Sequence, residues 1–165
     1  MQFIKKLVGD RIYLSPRGAS DEEIEKFTDW MNDFQTTDFI GRSGQAVTFI
    51  GEKEWLENST KNVQDRSFSI IELNHNKLIG TISLENFSWI ERSAVLGIFI
   101  GDKDFRNNGY GTEAIKLLLE YGFKYLNLHS IRLDLLSINE RAHKCYLKCG
   151  FKDTGCSREA IYVNG

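Results

Sequence analysis

Arg106, Asn107, Asn108, Gly109, Tyr110, Gly111 and Thr112 form a run with two glycines two residues apart, set between an apolar segment and a long amphipathic one. Glycines so spaced let the backbone turn tightly and aim consecutive amides at one point. A helix starting there adds free N–H groups and the positive end of its dipole. The chemistry of such a nest is anion binding, phosphate above all, with Arg106 able to add charge and Thr112 a hydroxyl. The spacing is neither a loop closing on Gly-Lys-Ser/Thr nor a GxGxxG fingerprint. Strand-to-helix joints also carry glycine for turn geometry alone, so the window by itself leaves both readings open.

A second window runs from Asn139 to Phe151, with Asn139, Ala142, Tyr146 and Gly150 as its marked positions. Tyr146 follows Asn139 by seven residues, two helical turns down one side. A phenol there can donate a proton, and Asn139 can hydrogen-bond a ligand. The plainer reading makes Asn139 an N-cap and Tyr146 a core aromatic. Cys145 and Cys149 share the inward stripe and read as packed thiols. His143 with those cysteines lacks a zinc-site pattern and a partner pair, so no metal is expected.

The elements that must hold these windows follow from patterning. A short strand is expected over 11–14, ended by Pro16. Ser20 and Glu23 form a capping box opening a helix over 21–33, on which Ile24, Phe27, Trp30 and Met31 share a face. Residues 32–44 read as a loop and 52–58 as a second helix. Strands follow at 68–73 and 78–84 around a turn, then at 93–100, whose continuous apolar character predicts cover on both faces. The long helix is placed at 110–126, with Ala114, Leu118, Tyr121, Gly122 and Tyr125 inward. A strand at 131–136, a helix at 139–149 stopped by Gly150, and a last extended segment from Phe151 complete the chain. The fold class is a mixed α/β (α+β) domain, antiparallel hairpins first and crossover helices later.

At 165 residues with 41% hydrophobic content and a single proline, the chain suits one globular domain, taken as 1–165, that needs no staple. Twenty-one basic against 23 acidic residues, with no basic run, exclude a broad nucleic-acid surface. No apolar stretch approaches the ~20 residues of a membrane span, and the opening residues, with two lysines and no apolar h-region, are not expected to act as a signal peptide. Three cysteines, an odd number gathered late, point to free thiols in the cytoplasm.

Taken together, Arg-x-x-Gly-x-Gly before a long helix and Asn-x-x-Ala-x-x-x-Tyr-x-x-x-Gly-Phe after the next strand resemble the GNAT superfamily of N-acetyltransferases. Arg11-Ile-Tyr-Leu14, Trp30-Met-Asn-Asp33, Arg92-Ser-Ala94 and Gly97 to Asp102 extend the resemblance toward the branch of ribosomal-protein N-terminal acetyltransferases and their small-amine relatives. The resemblance implies a mostly antiparallel sheet with a splayed parallel pair. It implies acetyl-coenzyme A as cosubstrate, its pyrophosphate held by the amides of residues 106–111 and its pantetheine arm lying between the strands 93–100 and 131–136. Ile98, Phe99 and Ile100 would pair with that arm, and one of their amides would polarise the thioester carbonyl. Asn139 would bond the pantetheine end, and Tyr146 would protonate the leaving thiolate. A primary amine, on a protein N-terminus or a small molecule, would attack directly. The acceptor is expected near Asp33, Asp38, Phe39 and Glu85.

The sequence departs from the family twice. Val95 and Leu96 stand where many relatives carry a glutamate before the strand's glycine, so no general base is marked. The family's final strand is also missing after Tyr162-Val-Asn-Gly165, where Asn-Gly signals a turn. The edge at 131–136 would then be covered by the chain's own last segment or by a second copy, giving a homodimer. The competing function is a domain that binds acyl-coenzyme A or docks a partner without turnover.

Overall fold

The computed structural model describes residues 3–61 and 65–162. Six strands form one sheet in sequence order: β1 (Leu7–Val8), β2 (Ile12–Pro16), β3 (Arg66–Glu72), β4 (Lys77–Ser88), β5 (Ser93–Ile100) and β6 (Ser130–Arg132). All neighbours are antiparallel except β5 and β6, which run parallel. The sheet is thus of the mixed, mostly antiparallel kind expected.

Alternation along β3, β4 and β5 gives the sheet two unlike faces, because directly paired residues point the same way and successive ones oppositely. Phe68, Ile82, Leu84 and Leu96 turn to one face and pack under Ala114, Ile115 and Leu118 of α4 (Tyr110–Glu120). Ser67, Ser69, Thr81, Ser83, Gly97 and Phe99 turn to the other. Over part of that second face lie α1 (Asp21–Met31) and α3 (Phe49–Lys61), whose Ile24, Phe27 and Leu56 form a separate small core with Trp30 and Phe99. The capping box of α1 is present. Glu23 accepts from Ser20 and Gly18, and also from the Ser69 hydroxyl at 2.7 Å, which ties the helix start to the sheet.

Several expectations are corrected. The loop at 32–44 contains a one-turn helix, α2 (Phe34–Thr37), and a tighter turn at Asp38–Ile40, because Asp33 caps them through Gln35 N and Thr36 Oγ1. The second helix runs further both ways than 52–58. Strand β1, not foreseen from the sequence, pairs Leu7 with Leu14. The long helix is α-helical only to Glu120. Its last turn, Tyr121–Tyr125, widens to a π turn in which Gly122 is buried and Tyr125 points out, 64% exposed. The strand expected at 131–136 pairs only over Ser130–Arg132, opposite Ser93–Val95. Beyond Val95, β5 has no neighbour on that side among the described residues. Gly97 is exposed and Ile98, Phe99 and Ile100 are half-buried, so β5 is not covered on both faces. Residues 151–162, after α5 (Glu140–Lys148), contain no strand; the turn expected at 164–165 lies outside the described residues.

Candidate active site

The glycine window closes over the end of β5. Gly109 sits at the N-cap of α4 with φ +84°, a left-handed conformation that favours glycine, and no side chain caps the helix. Asn107 is also left-handed, at φ +62°. The amides of Tyr110, Gly111 and Thr112, in the first turn, have no intrahelical carbonyl to meet. A Cβ at Gly111 would stand 3.8 Å from Ile100 Cγ1 and 4.0 Å from Ile98 Cδ1, ordinary contact distances. Nothing in the fold therefore demands glycine at 111. Free amides on a helix start beside an unfilled position suit an anion approaching the backbone.

The loop is braced from behind by Arg11, which sequence reasoning quoted but gave no role. Its Nη1 donates to the Asn108 carbonyl at 2.8 Å, its Nε to Glu113 at 3.0 Å, and its guanidinium lies 4.5 Å from the centre of the Tyr110 ring. Arg106 is spent differently from the expected phosphate contact. It donates to the carbonyls of Ile100 (2.9 Å) and Gly101 (2.8 Å) and to Thr36 Oγ1 (2.7 Å), pinning α2 to the end of β5. Its own amide bonds the Lys103 carbonyl, so the free nest begins at Asn107. The Thr112 hydroxyl meets Cys145 Sγ at 3.2 Å, joining α4 to α5.

Asn139 caps α5 through the Ala142 amide at 3.1 Å, while its Nδ2 donates to the Phe39 carbonyl at 3.1 Å. Both ends of that amide are engaged within the protein. Tyr146 packs edge-on against Phe151 with ring centres 6.0 Å apart, and its hydroxyl has no hydrogen bond among the described residues. Burial first, then the neighbouring Cys145 and Cys149, push this phenol up to about 12, so it is protonated at neutral pH. Burial and Cys145 likewise push Cys149 up to about 11. A thiol so held is a poor nucleophile.

Of the acceptor candidates, Glu85 faces the open side of the sheet, half-buried, taking a 2.6 Å hydrogen bond from Ser83 Oγ. It stands directly across from Val95. Asp33 and Asp38 are committed to their own loop. Burial would raise Asp33, yet hydrogen bonds from Thr36 and Gln35 and the Lys103 ammonium at 3.4 Å hold it below the usual carboxylate value. Asp38 accepts from Ser43. Phe39 lies under the Arg141 guanidinium at 5.6 Å. Two residues that the sequence did not single out line the same cleft. Arg17, just past β2, stacks over Trp55 at 4.8 Å, and Glu52, in the first turn of α3, is buried. Burial lowers Arg17 and raises Glu52. No cluster of metal-ligating side chains occurs among the described residues.

A bare helix start over a parallel pair that splays open is the layout of an acyl-coenzyme A-dependent acyltransferase. The chain belongs to the GNAT acetyltransferase family, whose domain model, "Acetyltransferase (GNAT) domain", matches residues 11–152. It is accordingly an N-acetyltransferase that transfers an acetyl group from acetyl-coenzyme A to an amine. Similar proteins include the probable N-acetyltransferase YjcK of Bacillus subtilis, 29% identical over 96% of this chain and 90% of that one. Spermidine N(1)-acetyltransferase of Vibrio cholerae is 33% identical over 58% of this chain and 55% of that one. The structure of spermidine N-acetyltransferase from Vibrio cholerae with CoA and spermine superposes with a TM-score of 0.84, at 24% identity, over 95% of this chain and 90% of that one.

Proposed function

We propose that the amides of Asn107 to Thr112 hold the coenzyme pyrophosphate, that the pantetheine arm fills the opening beyond Val95, and that a primary amine attacks the thioester from the face carrying Ser83, Glu85 and Gly97. The parting of β5 from β6 directly below an uncapped helix start carries this reading, because it gives one ligand a cradle and a slot in line. Within the slot, the Ile98 amide is the donor for the thioester oxygen, since alternate residues of β5 turn their backbone groups away from β4; the Ile100 carbonyl, on the same side, is already taken by Arg106. The amine nitrogen bonds the acetyl carbon, the C–S bond breaks, and Tyr146 gives its proton to the departing thiolate. Glu85 takes the amine's proton, directly or through water. It occupies, one strand over, the place next to Val95 where many relatives carry their glutamate. Asn139 fixes the start of the helix that bears Tyr146.

The test is thiol release from acetyl-coenzyme A against a panel of primary amines and N-terminal peptides, with calorimetric titration of acetyl-coenzyme A alone. Turnover with any amine supports the reading; tight binding without turnover on any acceptor favours a sensing domain. Free thiols at Cys145, Cys149 and Cys156 fit a reducing compartment such as the cytosol. The outer edge of β6, unpaired among the described residues, suits a second copy of the chain, which light scattering over a dilution series would show.

A further inference from the structure

The face of the sheet from which the amine approaches carries a charge that a simple polycation site would not contain. The Arg17 amide donates to the Ser67 carbonyl at 3.0 Å, continuing the β2–β3 ladder one step past Pro16 and Phe68. Ser67 pairs with Ser83, and Ser83 with Gly97. These four residues therefore form one row across four neighbouring segments, roughly 14 Å from end to end at the usual strand spacing. Between Arg17 and Gly97 the row offers only two serine hydroxyls, and a Cβ added to Gly97 would already come within 3.3 Å of Ser83 Oγ. The result is a shallow trough leading from the slot to a guanidinium, with Glu52 and Trp55 of α3 as its wall.

The guanidinium is fixed but incompletely paired. It stacks on Trp55, and Nη2 donates to Ser59 Oγ at 3.0 Å. Its Nε is buried with no acceptor, and Nη1 bonds none of the described residues. No carboxylate among the described residues reaches salt-bridge distance of it, although Glu85, Glu52, Glu23 and Asp65 all act on it from farther away. Glu23 is occupied by the capping box. With Nε buried and Nη2 on Ser59, Nη1 is the donor left for a ligand, and an arginine so held binds an anion more strongly than any neutral acceptor. Glu85, beside Ser83 on β4 and first among the carboxylates that act on Arg17, is a place for a cation between the guanidinium and the Gly97 end.

We infer that the acceptor is a zwitterion, a primary amine that also carries a carboxylate several bonds away, and that Arg17 receives the carboxylate while the amine lies at the Gly97 end. An ω-amino acid or a short peptide has that form. A polyamine would bring a second ammonium against Arg17, at an energetic cost. The inference rests on the amine approaching across the Gly97 face, as proposed above.

Three six-carbon acceptors separate the alternatives: ε-aminocaproate, hexylamine, which has no charged group at its far end, and hexamethylenediamine. With the intact protein, kcat/KM for ε-aminocaproate should exceed that for the other two by about tenfold or more, the size expected of one charge-assisted pair. Arg17→Met should bring the ratio of ε-aminocaproate to hexylamine to about one, and Arg17→Lys, which keeps the charge and is the safer variant for folding, should leave an intermediate ratio. A preference for the diamine, or a ratio unmoved in Arg17→Lys and Arg17→Met alike, overturns the inference. Thiol release with none of these amines would count against the catalytic reading instead. The decision here then passes to calorimetry with coenzyme A present: ε-aminocaproate binding that weakens in Arg17→Lys supports the inference, and binding no tighter than that of hexylamine overturns it.

Discussion

Gly111→Ala separates ligand binding from folding, because the two should move in opposite directions. The position lies in the first turn of α4 with no left-handed φ, and an added Cβ finds its nearest neighbours at 3.8 and 4.0 Å. Alanine is favoured over glycine in a helix by up to about 1 kcal/mol, less near an end. In a chain of this length that raises Tm by at most about 2–4 °C. The same methyl stands beside the amides that would face the pyrophosphate, and losing one close backbone approach costs about one to two powers of ten in Kd. With acetyl-coenzyme A at a hundred times the native Kd, the native protein gains about 2.7 kcal/mol, a shift of roughly 5–11 °C. A variant binding a hundredfold more weakly gains only about 0.4 kcal/mol, or roughly 1 °C. Thermal melts with and without ligand read both numbers, and Gly44→Ala, where an added Cβ meets nothing within 4 Å, serves as the control. A Gly111→Ala protein that keeps the full ligand shift refutes the cradle. One whose ligand-free Tm falls by several degrees refutes the argument that the fold leaves this position free.

Tyr146→Phe keeps the ring against Phe151 and removes the proton, so kcat should fall by roughly 10²–10⁴ with coenzyme affinity and Tm little changed; near-normal kcat removes Tyr146 from the chemistry. The phenol is raised from 10.0 to about 12, so its contribution to stability is complete below pH 10 and is lost as pH climbs toward 12, a slope that chemical denaturation should find weakened in Tyr146→Phe. Cys149, raised from 9.0 to about 11, should react with iodoacetamide at pH 8 about a hundredfold more slowly than a cysteine in a short unstructured peptide, as mass-spectrometric mapping over time would show. Arg11→Met frees the Asn108 carbonyl and the Tyr110 face, and should raise KM for acetyl-coenzyme A by about three- to tenfold while kcat stays within about twofold; unchanged KM would mean the loop holds its shape without the brace.

What could be read ahead of the structure was set by short-range chemistry. Ser20 and Glu23 sit three apart and cap each other, Gly150 takes the left-handed turn at φ +93° that ends α5, and the glycines at 109 and 111 mark the joint before α4. These are local geometries, complete within a few residues, and the spacing carries them. The errors came where distant partners decide. Leu7 and Val8 become a strand only because Leu14 and Tyr13 are there to pair with, and residues 133–136 leave the sheet although their sequence is as apolar as many strands. Side-chain commitments were equally hidden. Arg106 stands beside the glycines in sequence, yet its guanidinium is engaged by the carbonyls of Ile100 and Gly101 at the end of β5 and by the Thr36 hydroxyl of α2, partners that no local spacing announces.

Arg17 shows why a site can be less legible than its fold. Nothing within five residues marks it, since a charged residue after a proline at a strand end is ordinary. Its meaning depends on register: Pro16 opposite Phe68 puts Arg17 beside Ser67, and Ser67 beside Ser83 puts both in line with Gly97. A slip of one residue in any of these pairings would turn Arg17, Ser83 or Gly97 to the α4 side of the sheet and dissolve the row. That slip is prevented by the buried alternation of Phe68, Ile82 and Leu84, whose side chains turn to the α4 face, away from the trough. The core face thus fixes which residues the open face presents. A change such as Ile82→Thr, made entirely on the hidden side, should therefore lower Tm and leave the acceptor ratio unchanged, because lost folded protein scales both acceptors equally, whereas Ser83→Val, on the open side at the next residue, should alter the ratio at nearly unchanged Tm. Measuring the ε-aminocaproate to hexylamine ratio alongside melting for both variants tests the point, and a ratio unmoved in Ser83→Val would show that the row has no role of its own.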